Sequence, residues 1–256
     1  MSRFKAAGLH FLISLIVVST IIILMLNLWY PDSYFKLMGG KNLVYLISGV
    51  DVFLGPLLTL AVFKAGKKGL KFDLACISLL QIAAMSYGLF VMIQARPVFI
   101  VFNKDAFFVA SVVDIVPSEL AKGKKAEWRT ASITGPKLVA ASVTGPKNDR
   151  EKIFYESESQ WGIAQQYPRF YDDYANHKQD VINTGKPLPV LAKISLENKK
   201  TIDNFLGELK RPILDFLFLP IYSATGEMSA IVDAKTGDFI QIVDAKQDTE
   251  NSFKRP

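Results

Sequence analysis

Cysteine is almost absent from this 256-residue chain: Cys76 stands alone, inside an apolar run. An intrachain disulfide is therefore excluded, and so is a zinc site built from thiolates. Histidine is nearly as scarce, with only His10 and His177, and the two fall at opposite ends of the topology derived below, so they share no site. His177 lies in a polar segment with no nucleophile beside it and reads as a surface histidine rather than a general base. Also missing are G-x-S-x-G, H-E-x-x-H, a Walker A loop, an EF-hand loop and a dinucleotide fingerprint. No catalytic residue, metal ligand set, cofactor or small-molecule substrate is expected.

A surplus of one charge is missing from the larger part of the chain. Residues 1–95 hold 8 Lys/Arg against 3 Asp/Glu, whereas residues 96–256 hold 22 against 21. The second part thus has no net field to draw it onto phosphate backbones, and no nucleic-acid partner is expected.

What the chain has in abundance is apolar residues, 50% of the total with a mean hydropathy of +0.22, and they are unevenly distributed. A hydrocarbon core about 30 Å thick needs roughly 20 apolar residues in a helix. Residues 9–29, 43–63 and 74–94 meet that requirement and predict a three-helix transmembrane bundle within residues 1–95. The first run follows Arg3 and Lys5 as a signal peptide would. It is too long for a signal h-region, and Leu28-Trp29-Tyr30-Pro31 offers no small-residue cleavage site. It reads as an uncleaved anchor.

Orientation follows from lysine and arginine in the short loops. Arg3 and Lys5 precede the first run, and Lys64, Lys67, Lys68 and Lys71 separate the second from the third, while the first loop has only Lys36 and Lys41 with Asp32. The N-terminus and the four-lysine loop are expected on the cytoplasmic side, which leaves residues 96–256 outside; the inverted topology is the alternative. Trp29 and Tyr30 suit an aromatic anchor at the outer interface.

From Pro97 the pattern changes to short strands and turns. Residues 98–102 and 107–113, separated by Asn103-Lys104-Asp105, predict a β-hairpin. A near-repeat follows, Ala131-Ser132-Ile133-Thr134-Gly135-Pro136-Lys137 and Ala141-Ser142-Val143-Thr144-Gly145-Pro146-Lys147, read as strands that end in Gly-Pro turns. Helices are expected over 149–166, 172–183 and 196–209, the last with Ser195 as N-cap and with Ile202, Phe205, Leu206 and Leu209 on one face. Strands over 216–223, 228–233 and 239–243, with turns at Thr225-Gly226 and Thr236-Gly237, predict a closing meander. The class is α+β with antiparallel strands, tethered to the membrane with almost no linker.

Two groups of residues are candidates for function. Asp51 lies in mid-span, where a carboxylate costs about 2.5 to 3.5 kcal/mol to insert and usually faces a bundle interior. Matching depths along the helices sets it level with Thr20 on the first run and with Ser86 and Tyr87 on the third, whose hydroxyls are the expected partners. The carboxyl either holds the bundle in register or meets a partner's transmembrane helix. Pro56 is expected to kink the second run. In the second group, Trp161, Tyr167, Arg169, Phe170, Tyr171 and Tyr174 crowd together with acids, as part core and part surface or as a protein-binding patch of the kind that Tyr, Trp and Arg anchor.

These pieces match a known pattern. Phe4-Lys5-Ala6 with Gly8-Leu9-His10, Leu28-Trp29-Tyr30-Pro31, Gly49-Val50-Asp51-Val52 with Leu54-Gly55-Pro56-Leu57-Leu58-Thr59-Leu60, and Ala95-Arg96-Pro97-Val98 resemble the type IV pilin accessory proteins of the TfpX/TfpZ group. The resemblance continues through 135–141 and Tyr167-Pro168-Arg169-Phe170-Tyr171 to the closing meander, departing at the second Gly-Pro-Lys copy and the lysine-rich tail. It implies a multi-pass protein of the bacterial inner membrane, with a periplasmic C-terminal domain, that assists assembly of a cognate type IV pilin as a chaperone-like factor without enzymatic activity. Its partners would be the pilin's membrane helix and periplasmic head, and the lipid bilayer. The alternative is a membrane-anchored periplasmic ligand-binding or sensor protein, which the lack of a polar constellation and of a cytoplasmic output domain disfavours.

Overall fold

The computed structural model describes residues 1–31, 33–142 and 164–247. The helix expected over 149–166 lies outside them except for a 3-10 turn at Ala164–Gln166, and Trp161 and most of the second Gly-Pro-Lys copy also lie outside.

Helix α1, Arg3–Leu28, starts where the Ser2 hydroxyl accepts the Lys5 N–H at 3.3 Å. A short helix α2, Tyr34–Leu37, precedes α3, Gly40–Ser48. The chain stays helical through a π-helical segment, Gly49–Leu54, into α4, Gly55–Val62. Proline explains the change of pattern. Pro56 has no N–H to give and its ring crowds the carbonyl four residues back, so the preceding turn widens, and the Gly55 N–H reaches back to Val50 O instead of to Asp51 O, the acceptor an α-helix would use. The effect expected of Pro56 thus shows in the hydrogen bonding, as a wide turn. Helix α5, Leu70–Ala95, completes the helical part.

Helices α1 and α5 are the two among the described residues long and apolar enough to cross a membrane, and only 17% of the most apolar stretch of each is buried. Exposed Leu, Ile and Phe along both, such as Ile16, Ile23, Leu79 and Phe90, form long apolar faces of the kind that mark membrane contact. The segment over residues 40–62 is helical throughout, but its change of hydrogen bonding divides it into shorter pieces, so three equivalent spans are not what the structure presents.

The rest of the chain folds on one mixed sheet. Its strands are β1 (Pro97–Asn103), β2 (Ala106–Ser111), β3 (Lys137–Ala141), β4 (Tyr171–Asp172), β5 (Lys186–Pro187), β6 (Phe216–Tyr222), β7 (Glu227–Asp233) and β8 (Phe239–Val243). The order is β4-β3-β1-β2-β6-β7-β8, with β5 also beside β6. The hairpin β1–β2 and the meander β6–β7–β8 are antiparallel as expected. The class needs one correction, because β1 pairs with β3 and β2 with β6 in parallel. Those parallel pairs place β1 and β2 in mid-sheet, buried on both faces, and every residue of β2 is buried. That is why their sequences run apolar without alternation. The first Gly-Pro turn also precedes its strand, β3, instead of ending one.

Helices α6 (Pro117–Leu120), α8 (Leu188–Ile194) and α9 (Leu196–Leu209) cover one face of the sheet, and α7 (Lys178–Thr184) lies against the other through Val181. Ser195 Oγ accepts the Asn198 N–H at 3.0 Å as the α9 cap, and Ile202 and Phe205 pack with Leu191, Phe216, Phe218 and Ile231. Leu209, assigned to the same face, is 39% exposed. On the opposite face Ile100, Phe107, Leu219, Ile221, Met228 and Ile242 pack against Tyr30, Tyr34 and Leu37 from the loop that follows α1.

Candidate functional sites in the helices and the sheet domain

Asp51 lies in the π-helical segment, 4% exposed, and its Oδ2 has no hydrogen-bond partner among the described residues. The three hydroxyls expected around it are elsewhere. Thr20 is exposed and turns back to donate to Ile16 O, and Ser86 and Tyr87 are exposed as well. The depth argument fails because level is not facing: α5 presents Gln81 instead, whose Nε2 donates to the Asp51 carbonyl at 3.2 Å. The approach is close, since a Cβ on Gly55 would come within 2.1 Å of that Nε2. Pro56 is buried beside it. One turn further, His10 Nδ1 and Thr59 Oγ1 meet at 2.6 Å and tie α1 to α4. This polar strip runs through the helix interior, so it can fix the packing of the bundle.

The aromatic segment divides sharply. Phe170, Tyr171 and Tyr174 are buried core residues and offer nothing to a partner, which corrects the patch reading for them. Tyr171 stands edge-on to Phe99 at 5.0 Å and to Trp128 at 6.4 Å, and its hydroxyl donates to Gln165 O. The Tyr174 hydroxyl donates to Gly237 O at 2.6 Å. Burial raises both phenols above their ordinary range. Tyr167 and Arg169 are half-buried, with the guanidinium 5.3 Å from the Tyr167 ring centre and 4.8 Å from that of Phe170. Its Nε is 3.2 Å from Oε2 of buried Glu119, which also holds Lys122 at 2.5 Å. The cluster pins the 164–170 turns to α6.

His177 is more engaged than a plain surface histidine, with Nε2 3.2 Å from Asp172 and Nδ1 3.2 Å from Asp180. It borders an open cleft of about 450 Å³ with Phe102, Asn103, Asp180 and Thr184. Among the described residues no group of His, Cys, Asp and Glu could hold a metal ion.

The contact that sequence reasoning missed joins the loop after α1 to the far end of the chain. Leu37 O accepts the Ser223 hydroxyl at 2.7 Å and the Thr225 hydroxyl at 2.9 Å. Ser33 Oγ donates to Ile242 O at 2.7 Å, and Lys36 pairs with Asp244. Gly226 is required there, because a Cβ would sit 2.9 Å from Leu37 O. Tyr30, 1% exposed, donates its hydroxyl to Met92 O at 3.0 Å, so the same loop also holds the end of α5. The turn Ser223-Ala224-Thr225-Gly226 looks like any hairpin turn in sequence, and its hydroxyls gave no sign of a distant acceptor.

Residues 1–39, α1 and this clamped loop, match the family model described as fimbrial assembly protein FimB. The fimbrial assembly protein of serogroup E1 of Dichelobacter nodosus is 33% identical over 224 residues, 86% of each chain. That of serogroup I from the same organism is 31% identical over 223 residues, again 86% of each chain. The protein of serogroups C1 and C2 is 41% identical over 119 residues, 45% of this chain and 90% of the relative. No solved structure matches. Similarity at this level runs through the helices and the sheet domain alike, and on that footing the chain belongs to the fimbrial assembly protein family.

Proposed function

We propose that this protein is a chaperone-like accessory factor of the bacterial inner membrane that assists assembly of a cognate type IV pilin, with an assembly role and no catalysis. Its relatives are named as fimbrial assembly proteins, and the resemblance to pilin accessory proteins points to the type IV system.

The observation that carries the reading is the clamp. The loop after α1 is bonded to the sheet domain through Leu37 and Ser33, and the sheet domain follows directly from α5. The ends of α1 and α5 therefore share one side of a bilayer. If α5 crosses, the loop over residues 63–69 is on the other side, and the helical segment over 40–62 has to return through the membrane. At about 1.5 Å per residue those 23 residues reach about 34 Å, enough for the hydrocarbon core. Lys64, Lys67 and Lys68 then lie with Arg3 and Lys5 on the cytoplasmic side, and residues 96–256 lie in the periplasm.

A partner with a small membrane bundle and an outer domain can touch both the inserted helix and the outer head of a prepilin. Co-purification of the pilin with the detergent-solubilised protein tests the reading. Recovery of the pilin with this protein, and not with an unrelated three-span protein, is the expected result; its absence in a cell where pili assemble would overturn it.

A further inference from the structure

Two segments of the sheet domain are fastened to the ends of the apolar helices. The Gly135 N–H donates to Leu28 O, the last residue of α1, at 3.0 Å. Arg96, directly after α5, donates from Nε to Ser132 O at 3.0 Å and from Nη1 to Ile93 O at 2.6 Å. Its own carbonyl accepts the Val112 N–H at 3.2 Å. These bonds satisfy groups that helix ends leave open, and they fix the height of two side chains. Ile133 is two residues from Gly135 and Val113 one residue from Val112, which sets each within about 7 Å of a residue bonded to the end of an apolar helix.

Both side chains are 71% exposed, and below them Leu28 and Ile93 are 42% and 39% exposed. Single exposed aliphatics are ordinary on a protein surface. The place of these two is not, because the segments that carry them are bonded to the ends of α1 and α5, whose exposed apolar residues run up to Leu28 and Ile93. At 26 residues each, α1 and α5 are about 39 Å long, so they outrun a hydrocarbon core of about 30 Å and their ends lie among the headgroups. Irregular backbone is tolerated at that depth, where water is still present.

We propose that residues 112–114 and 131–136 form a lipid-contacting rim, with Val113 and Ile133 inserted at the headgroup–acyl boundary of the leaflet beneath the sheet domain. The occupant of this surface is the bilayer itself, by continuity with the apolar helices to which both segments are bonded. The rim rests on the membrane reading above and adds to it a fixed seat: the domain lies against the lipid surface rather than standing away from it on α5.

The test uses the full chain in lipid nanodiscs, in a Cys76→Ala background that leaves no other thiol. Single substitutions Val113→Cys, Ile133→Cys, Leu214→Cys and Val17→Cys each receive an environment-sensitive fluorophore, and lipids bearing a nitroxide near the headgroup or deep in the acyl chain act as quenchers. Leu214, 72% exposed in the 3-10 turn between α9 and β6, is the water-facing control, and Val17, 44% exposed in mid-α1, is the lipid-facing one. Positions 113 and 133 should be quenched several-fold more than 214 by the shallow nitroxide, and Val17 by the deep one. Before labelling, the thiols at 113 and 133 should react several-fold more slowly with a charged maleimide than that at 214. Quenching and reactivity at 113 and 133 equal to those at 214, with Val17 quenched, would overturn the rim alone. Loss of deep quenching at Val17 would overturn the spanning reading and the rim with it.

Discussion

Ser223 donates its hydroxyl to the main-chain carbonyl of Leu37 across 186 residues of sequence, at 2.7 Å, and Thr225 donates to the same oxygen. The pair satisfies a buried carbonyl at the end of a helix too short to supply its own partners.

Removing both hydroxyls, as Ser223→Ala with Thr225→Val, orphans that oxygen and is expected to cost about 1 to 3 kcal/mol, while Ser223→Ala alone costs less because Thr225 still reaches it. Gly226→Val drives a side chain against the same oxygen and is expected to lift the loop off the sheet. Thermal unfolding in detergent ranks the variants, and faster proteolysis within residues 29–39 identifies the lifted loop.

A pH dependence is expected from Asp233. Burial works against its charge, but the Arg211 guanidinium at 2.7 Å and the N–H groups of Thr236 and Lys235 prevail and hold its carboxyl down to about 2. A group whose folded value is depressed adds stability above its unfolded value, near 3.8, and loses it as pH falls toward 2. With screening by the solvent around Arg211, the contribution at neutral pH is about 1 kcal/mol. Asp233→Asn should therefore melt lower than the parent at pH 7, and the gap should close between pH 4 and pH 2. A gap that persists at pH 2 would assign the effect to shape rather than charge.

In the bundle, Asp51→Leu removes a carboxyl whose Oδ2 has no hydrogen-bond partner among the described residues, so the variant is expected to accumulate in membranes at close to the level of the parent, as is Asp51→Asn. Gln81→Leu strips the donor from the Asp51 carbonyl and should cost about 0.6 to 2 kcal/mol. Membrane abundance and melting in detergent give the ranking. Loss of Asp51→Leu with retention of Gln81→Leu would show that the carboxyl itself is the essential contact.

Topology is open to reporter fusions. Alkaline phosphatase placed after Pro256 should be active and the same enzyme placed after Gly66 inactive but expressed. The opposite pattern would invert the orientation.

Much of this architecture was legible where a single local rule governs. The first and third apolar runs, the Ser195 cap and the closing meander follow from length, capping chemistry and alternation, and each was found close to its expected place, whereas the second run is divided by its change of hydrogen bonding. The parallel pairings of β1 with β3 and of β2 with β6 were not legible, because register between distant strands is decided by the packing of both faces. Asp51 shows the limit for the candidate site. Its burial followed from its cost, but its neighbour depended on the rotation of α5, which presents Gln81 and turns Ser86 and Tyr87 outward. The aromatic cluster shows the same limit: composition grouped Tyr167 with Tyr171 and Tyr174, and only the fold divided them between half-buried and core.

The clamp also sets a timetable. Leu37 and Ser33 leave the ribosome early, while Ser223 and Ile242 follow 186 and 209 residues later. At roughly 5 to 20 residues per second the loop waits on the order of 10 to 40 s for its acceptors and donors. During synthesis, Tyr34 and Leu37 have no sheet to cover them, and β2 waits in its turn for β6 to become its neighbour. The last strands made are the ones that close the first loop, so a ribosome that stops short of β8 leaves both ends of the molecule unfinished.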